Sequence, residues 1–107
     1  MENRANYTSF VNDVDFHIVP LLNVDGYRYS HSKNRMWRKN RKIIPGSCNG
    51  VDLNRNFGYK WGQIGGATVD TCAWNYAGKD AFSEPESKAI QNYVLQNEIG
   101  YFQVNLN

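Results

Sequence analysis

Asn54 and Arg55 sit side by side in Val51-Asp52-Leu53-Asn54-Arg55-Asn56-Phe57, downstream of the basic stretch Asn34-Arg35-Met36-Trp37-Arg38-Lys39-Asn40-Arg41. An arginine fork presents planar, permanently charged donors that match the two oxygens of a carboxylate. A neighbouring asparagine amide adds a directional donor that lysine could not replace. The pair therefore fits an anion reader of the kind that chemistry at a peptide's C-terminus requires. On residue type alone each member has a plainer use: Arg38 and Arg55 as structural ion-pair partners, Asp52 as a turn or cap residue, Asn54 as a loop residue bonding its own backbone.

The elements around these residues predict an α/β architecture. Phe16, Ile18, Val19, Leu21 and Leu22 precede Asn23-Val24-Asp25-Gly26, which reads as a largely buried strand over 14–22 ending in a turn. Residues 28–79 have no sustained period, many Gly and Asn, and all three Trp at 37, 61 and 74. They read as long ordered loops, and loops of that length in a compact domain are usually functional. Ser83 is placed to cap a helix with Pro85 in its first turn and Glu86 completing a capping box. Ile90, Tyr93 and Val94 supply that helix's buried face, Gly100 ends it, and 101–106 alternates as a further strand. Strand, loops, helix and strand in this order give α/β architecture. Repeats, linkers and low-complexity segments are absent from the sequence.

Composition narrows the class without naming it: 41% hydrophobic, 14% aromatic and 21% charged residues exclude a disordered chain and fit a globular domain. No apolar run approaches the roughly 20 residues that span a bilayer, and Met1-Glu2-Asn3-Arg4 opens no signal-peptide core, so no membrane association is expected. Arg35, Arg38, Lys39, Arg41 and Lys42 put five of the twelve basic residues within eight positions, around Trp37. A polyanion-binding module is one reading of that run. The net charge of only +2 and the lack of an accompanying motif favour a solvated loop around a carboxylate site, with no nucleic acid partner. Cys48 and Cys72 flank a turn-rich stretch and would close a loop worth about 3 kcal/mol if oxidised. Paired and free thiols both stay open on the residues alone.

Four motifs occur in matching order: Leu21-Leu22-Asn23-Val24-Asp25-Gly26-Tyr27, Trp37-Arg38-Lys39, the stretch from Asp52 to Asn56, and Phe82-Ser83-Glu84-Pro85-Glu86. Together they resemble the zinc metallocarboxypeptidases of the pancreatic carboxypeptidase A/B type over roughly residues 7 to 107. The resemblance implies a mixed parallel and antiparallel sheet flanked by helices. It also implies a monomeric secreted enzyme that hydrolyses C-terminal residues from peptides and proteins, and a Cys48–Cys72 disulfide. It assigns Asn54 and Arg55 to the substrate's terminal carboxylate, Arg38 to the oxyanion, Arg35 to the outer substrate cleft, and Asp52 to orienting a zinc-bound histidine. Tyr27, Tyr59 and Tyr76 read as packing residues. Ala81 departs from the proline often found there in relatives, a change confined to a loop.

The family holds zinc through a His-x-x-Glu pair and a second histidine, and neither His17 nor His31 begins such a pattern. No metal ligand is therefore assigned to this chain, and the zinc of the parent domain is expected to lie on other residues. Residues 1–107 are expected to be a central segment of a partial catalytic domain, inactive and marginally stable alone. A zinc-free relative that still binds peptide C-termini through Asn54 and Arg55 is the other reading. The C-terminal residue preferred is not legible.

Overall fold

The computed structural model describes Thr8 and residues 11–103. Its first named element, helix α1 (Val24–Ser32), begins where Asn23 Oδ1 accepts the Gly26 N–H at 3.1 Å. The same amide donates through Nδ2 to the Arg38 and Lys39 carbonyls, at 3.1 Å each, and so ties the helix start to the basic stretch. Gly26 packs so closely that an added Cβ would lie 2.5 Å from the Lys39 carbonyl oxygen. The sequence predicts a turn at 23–26 and loop from 28 onward. The structure corrects both, because Asn23 is an N-cap and Asp25 in the first turn complements the helix dipole.

The predicted strand over 14–22 is not formed either. Phe16, Ile18, Val19 and Leu21 are exposed, Ile18 to 80%. No strand lies beside them among the described residues, where sheet pairing is limited to one isolated parallel bridge, Thr68 to Tyr76. A strand needs a neighbour to take its N–H and C=O groups, and side-chain pattern alone supplies none. At the other end residues 101–103 are not strand, and the rest of that prediction, 104–106, lies outside the described residues. The sheet half of the α/β expectation is thus not realised here.

Helix α2 (Pro85–Gln96) forms, one residue later than predicted. Pro85 occupies the first helical position, where its fixed φ suits the helix and its missing N–H costs nothing, so Glu84 becomes the N-cap instead of Ser83. No side-chain cap closes; Glu86 instead accepts from Asn40 Nδ2 at 3.3 Å. The helix stops at Asn97, whose N–H bonds the Tyr93 carbonyl, and not at Gly100. Ser87 and Ile90 are its buried positions; Val94 is half-buried and Tyr93 exposed.

Buried apolar groups are few among the described residues: Val51, Leu53, Tyr76, Ala77 and Ile90. Buried polar ones are as prominent. Asn56, fully buried, donates through Nδ2 to Ala77 O (2.8 Å), Asp80 O (3.1 Å) and Ser83 Oγ (2.9 Å). Its Oδ1 accepts from the Glu84 N–H (3.2 Å) and Ser87 Oγ (2.5 Å). Glu84 in turn accepts from Asn40 Nδ2 (2.8 Å), Lys42 Nζ (3.0 Å) and Ser83 Oγ (2.9 Å). No buried side-chain polar atom among the described residues lacks a partner.

Asn56→Asp keeps the accepting oxygen but turns the donor into an acceptor facing two carbonyls. A buried group left unmatched in this way is expected to lower stability by about 3 kcal/mol. Urea unfolding checks this against the exposed control Asn92→Ala, expected to change stability by no more than about 0.5 kcal/mol.

Candidate functional site

Asp52 is the joint of the site. Its backbone is held by donation to the Tyr76 carbonyl at 2.8 Å, and its Oδ1 caps a 3-10 turn (Leu53–Arg55) by accepting the Asn54 N–H at 3.1 Å. Its Oδ2 pairs with Arg38 Nε at 3.1 Å; the aspartate side chain is 2% exposed and the arginine 28%. One buried carboxylate therefore fixes both the turn that presents Asn54 and Arg55 and the guanidinium of Arg38. Removing it would take from Arg38 the buried carboxylate it pairs with, a loss that is costly where water is scarce.

Arg55 leaves the turn half-buried and lies across Gly65, donating from Nε to the Gly65 carbonyl at 3.2 Å and from Nη1 to the Asn54 carbonyl at 3.4 Å. Gly65 has φ +65°, and a Cβ there would meet the guanidinium carbon at 2.7 Å. Beside this arginine opens a hollow of about 80 Å³ walled by Asn54, Tyr59, Lys60, Trp61 and Ile64. Trp61 is fixed by donation from its indole to the Ala77 carbonyl at 3.1 Å. The Arg38 guanidinium lies over the Trp74 ring, 5.4 Å from its centroid. Arg55 and Asn54 border this hollow, whereas Arg38 lines a separate cavity together with Asn23, Gly26 and Trp37. Arg35 is exposed, and among the described residues no hydrogen bond or ion pair joins it to this turn.

The remaining basic residues are individually engaged. Arg41 stacks on Tyr29 (3.6 Å) and Trp37 (4.5 Å), and Lys42 pairs with Glu84. Lys39 is buried and donates to the Thr71 carbonyl at 2.8 Å. Burial holds the Lys39 ammonium pKa below its usual 10.5. Asp70 and Asp52 oppose that shift, and Arg41 adds to it. Thr71 adjoins Cys72, which is disulfide-bonded to Cys48, and the Thr71 and Ser47 hydroxyls hydrogen-bond beside that bridge. Lys39 and Arg41 share the Trp37 ring, their charged groups 5.9 and 4.5 Å from its centroid.

No group of three His, Cys, Asp or Glu side chains suited to a metal occurs among the described residues. His17 bonds the Tyr93 hydroxyl through Nδ1 at 2.7 Å, and His31 packs on Tyr27 at 4.5 Å. These residues do not fit a zinc centre. Tyr76 is buried as a packing residue should be; Tyr27 packs on His31 at a half-exposed position, and Tyr59 is on the surface, which corrects the packing role read for it. The sequence gives no separate role to Asn40, Asn56 or Gly65. Asparagines and glycines are common in loops, so only the three-dimensional closure marks these out.

A family model described as zinc carboxypeptidase matches residues 1–107. Human carboxypeptidase B2 is 47% identical over 94 residues, and human mast cell carboxypeptidase A is 49% identical over 95. These alignments cover 87% and 86% of this chain but only 22% of either relative, so the chain spans about a fifth of the length of the curated relatives it matches. Among solved structures, bovine thrombin-activatable fibrinolysis inhibitor in complex with tick carboxypeptidase inhibitor superposes with a TM-score of 0.73 at 41% identity. That superposition covers 87% of this chain and 33% of that one.

Two outcomes follow from the geometry. Gly65→Ala forces a side chain into left-handed backbone and against Arg55, and should lower the urea midpoint by the equivalent of about 1–2 kcal/mol. The second concerns pH. Lys39 has a lower pKa folded than unfolded, so between its folded pKa and 10.5 the unfolded chain holds more proton at this site and folding stability rises with pH through that interval. The stability difference between wild type and Lys39→Met should therefore move in favour of wild type as pH is raised toward 10.5, measured by urea titration at a series of pH values.

Proposed function

The chain belongs to the zinc carboxypeptidase family, and from that premise we propose that residues 1–107 are the central segment of a metallocarboxypeptidase catalytic domain whose parent removes C-terminal residues from peptides and proteins. The observation that carries this reading is the Asp52 carboxylate, which accepts from Arg38 Nε on one oxygen and from the Asn54 backbone N–H on the other. It fixes two candidate anion-binding guanidiniums on one rigid support. In the proposed roles Arg55 and Asn54 hold the terminal carboxylate of the substrate, and Arg38 stabilises the negative charge that develops on the scissile carbonyl oxygen. Arg35, further out and exposed, lines the approach. A donor aimed at developing charge is worth roughly 3–4 kcal/mol in such sites.

The family implies zinc in the parent domain, with ligands outside the described residues, and the sheet of that domain would have to be completed against 14–22. In this reading the 107-residue chain alone is inactive. The Cys48–Cys72 disulfide supports an extracellular parent, since such bridges persist in oxidising compartments. None of the described helices is long and apolar enough to cross a membrane.

In the parent enzyme Arg38→Ala should lower kcat roughly 100- to 1000-fold with a smaller effect on KM. Arg55→Ala should lower kcat/KM by about 30-fold or more, chiefly through KM. Amidating the peptide's C-terminus should abolish the contribution of Arg55. Equal hydrolysis of a peptide acid and its amide by wild type would contradict the carboxylate assignment.

A further inference from the structure

Lys60 has φ +44°, one of three non-glycine residues with positive φ among those described. Left-handed backbone is costly for any residue with a Cβ and natural for glycine, which stands close by at 58 and 62. Phe82, another of the three, has its strain offset by packing: its N–H bonds the Asn56 carbonyl at 2.7 Å and its ring meets Phe57 edge-on at 5.7 Å. Lys60 is exposed, with its ammonium 5.7 Å from the ring centroid of its neighbour Tyr59. Strain kept at an exposed position points to a use.

That use is suggested by what Lys60 borders. It lines the same hollow as Arg55, the hollow has no Asp or Glu in its wall, and neither cation has an ion-pair partner among the described residues. The opening, about 80 Å³, has room for a carboxylate and a water or two but not for a whole peptide side chain. With Arg55 taking the terminal carboxylate, Lys60 stands at the rim, where the terminal residue's own side chain must lie. We propose that Lys60 is a specificity-determining residue that favours peptides ending in an acidic residue and disfavours those ending in a basic one. This rests on the carboxylate-binding reading of Arg55.

The test is an NMR titration of the 15N-labelled 107-residue chain with N-acetyl-Ala-Ala-Glu, its Leu and Lys counterparts, and the C-terminal amide of the Leu peptide. Wild type, Lys60→Met and Lys60→Gly are compared; the glycine variant removes the charge at a backbone position that glycine adopts freely. Support requires that the acids bind more tightly than the amide and that the Glu-to-Lys preference falls about two- to fivefold in both variants, the range expected of one exposed charge. If the acids bind but the preference is unchanged, Lys60 has no such role and the Arg55 reading stands. If the amide binds as well as the acids, or no acid binds, the Arg55 reading itself is overturned, and the role of Lys60 with it.

Discussion

The Asn56 amide, without exposed surface, holds five partners at once: two backbone carbonyls, the hydroxyls of Ser83 and Ser87, and the Glu84 N–H. It is the residue directly after Arg55, so what it anchors is the far end of the turn that presents the site. Through Glu84 the same network reaches Asn40 and Lys42, and Asn40 exchanges bonds with Val51 on both its backbone N–H and its side-chain carbonyl. The stretch carrying Arg38 and the turn carrying Arg55 are thereby fastened to the start of α2 from behind.

This explains how some fifty residues without periodic structure stay ordered. Five buried apolar side chains among the described residues give little directional information, whereas a buried amide or carboxylate tolerates only the geometry that satisfies it. The Cys48–Cys72 bridge and the Lys39 bond to Thr71 close the same loop from its outer side. Arg38 and Arg55 can then be half-exposed and still be fixed, as the proposed anion-binding roles require.

Residue type and order account for part of the local geometry: Asp52, Asn54 and Arg55 share one short turn whose aspartate pairs with Arg38, and the two cysteines are bonded as the resemblance implies, while the roles of these side chains remain a proposal. Helix α2 was legible from Pro85 and Ile90, and its start slipped by one residue because proline at the first helical position outranked serine's capping preference. Helix α1 was hidden by Asn23-Val24-Asp25-Gly26, whose composition suits a turn as well as a cap. The strand over 14–22 failed for a different reason: an apolar run describes a segment that would fit a buried sheet, and a sheet exists only when a neighbour supplies the other half of each hydrogen bond. The roles of Asn40 and Asn56 were illegible, since nothing in a loop asparagine's surroundings in sequence tells which distant carbonyl it will meet.

The most direct measurement of whether this polar web positions the site is native-state amide hydrogen exchange on the 107-residue chain. The account predicts that the amides of Asn40, Val51, Asp52, Phe82 and Glu84 exchange slowest and open together with one free energy, while 14–22 exchanges freely. Fast exchange at those five amides, with protection concentrated in α1 or in 14–22, would contradict it.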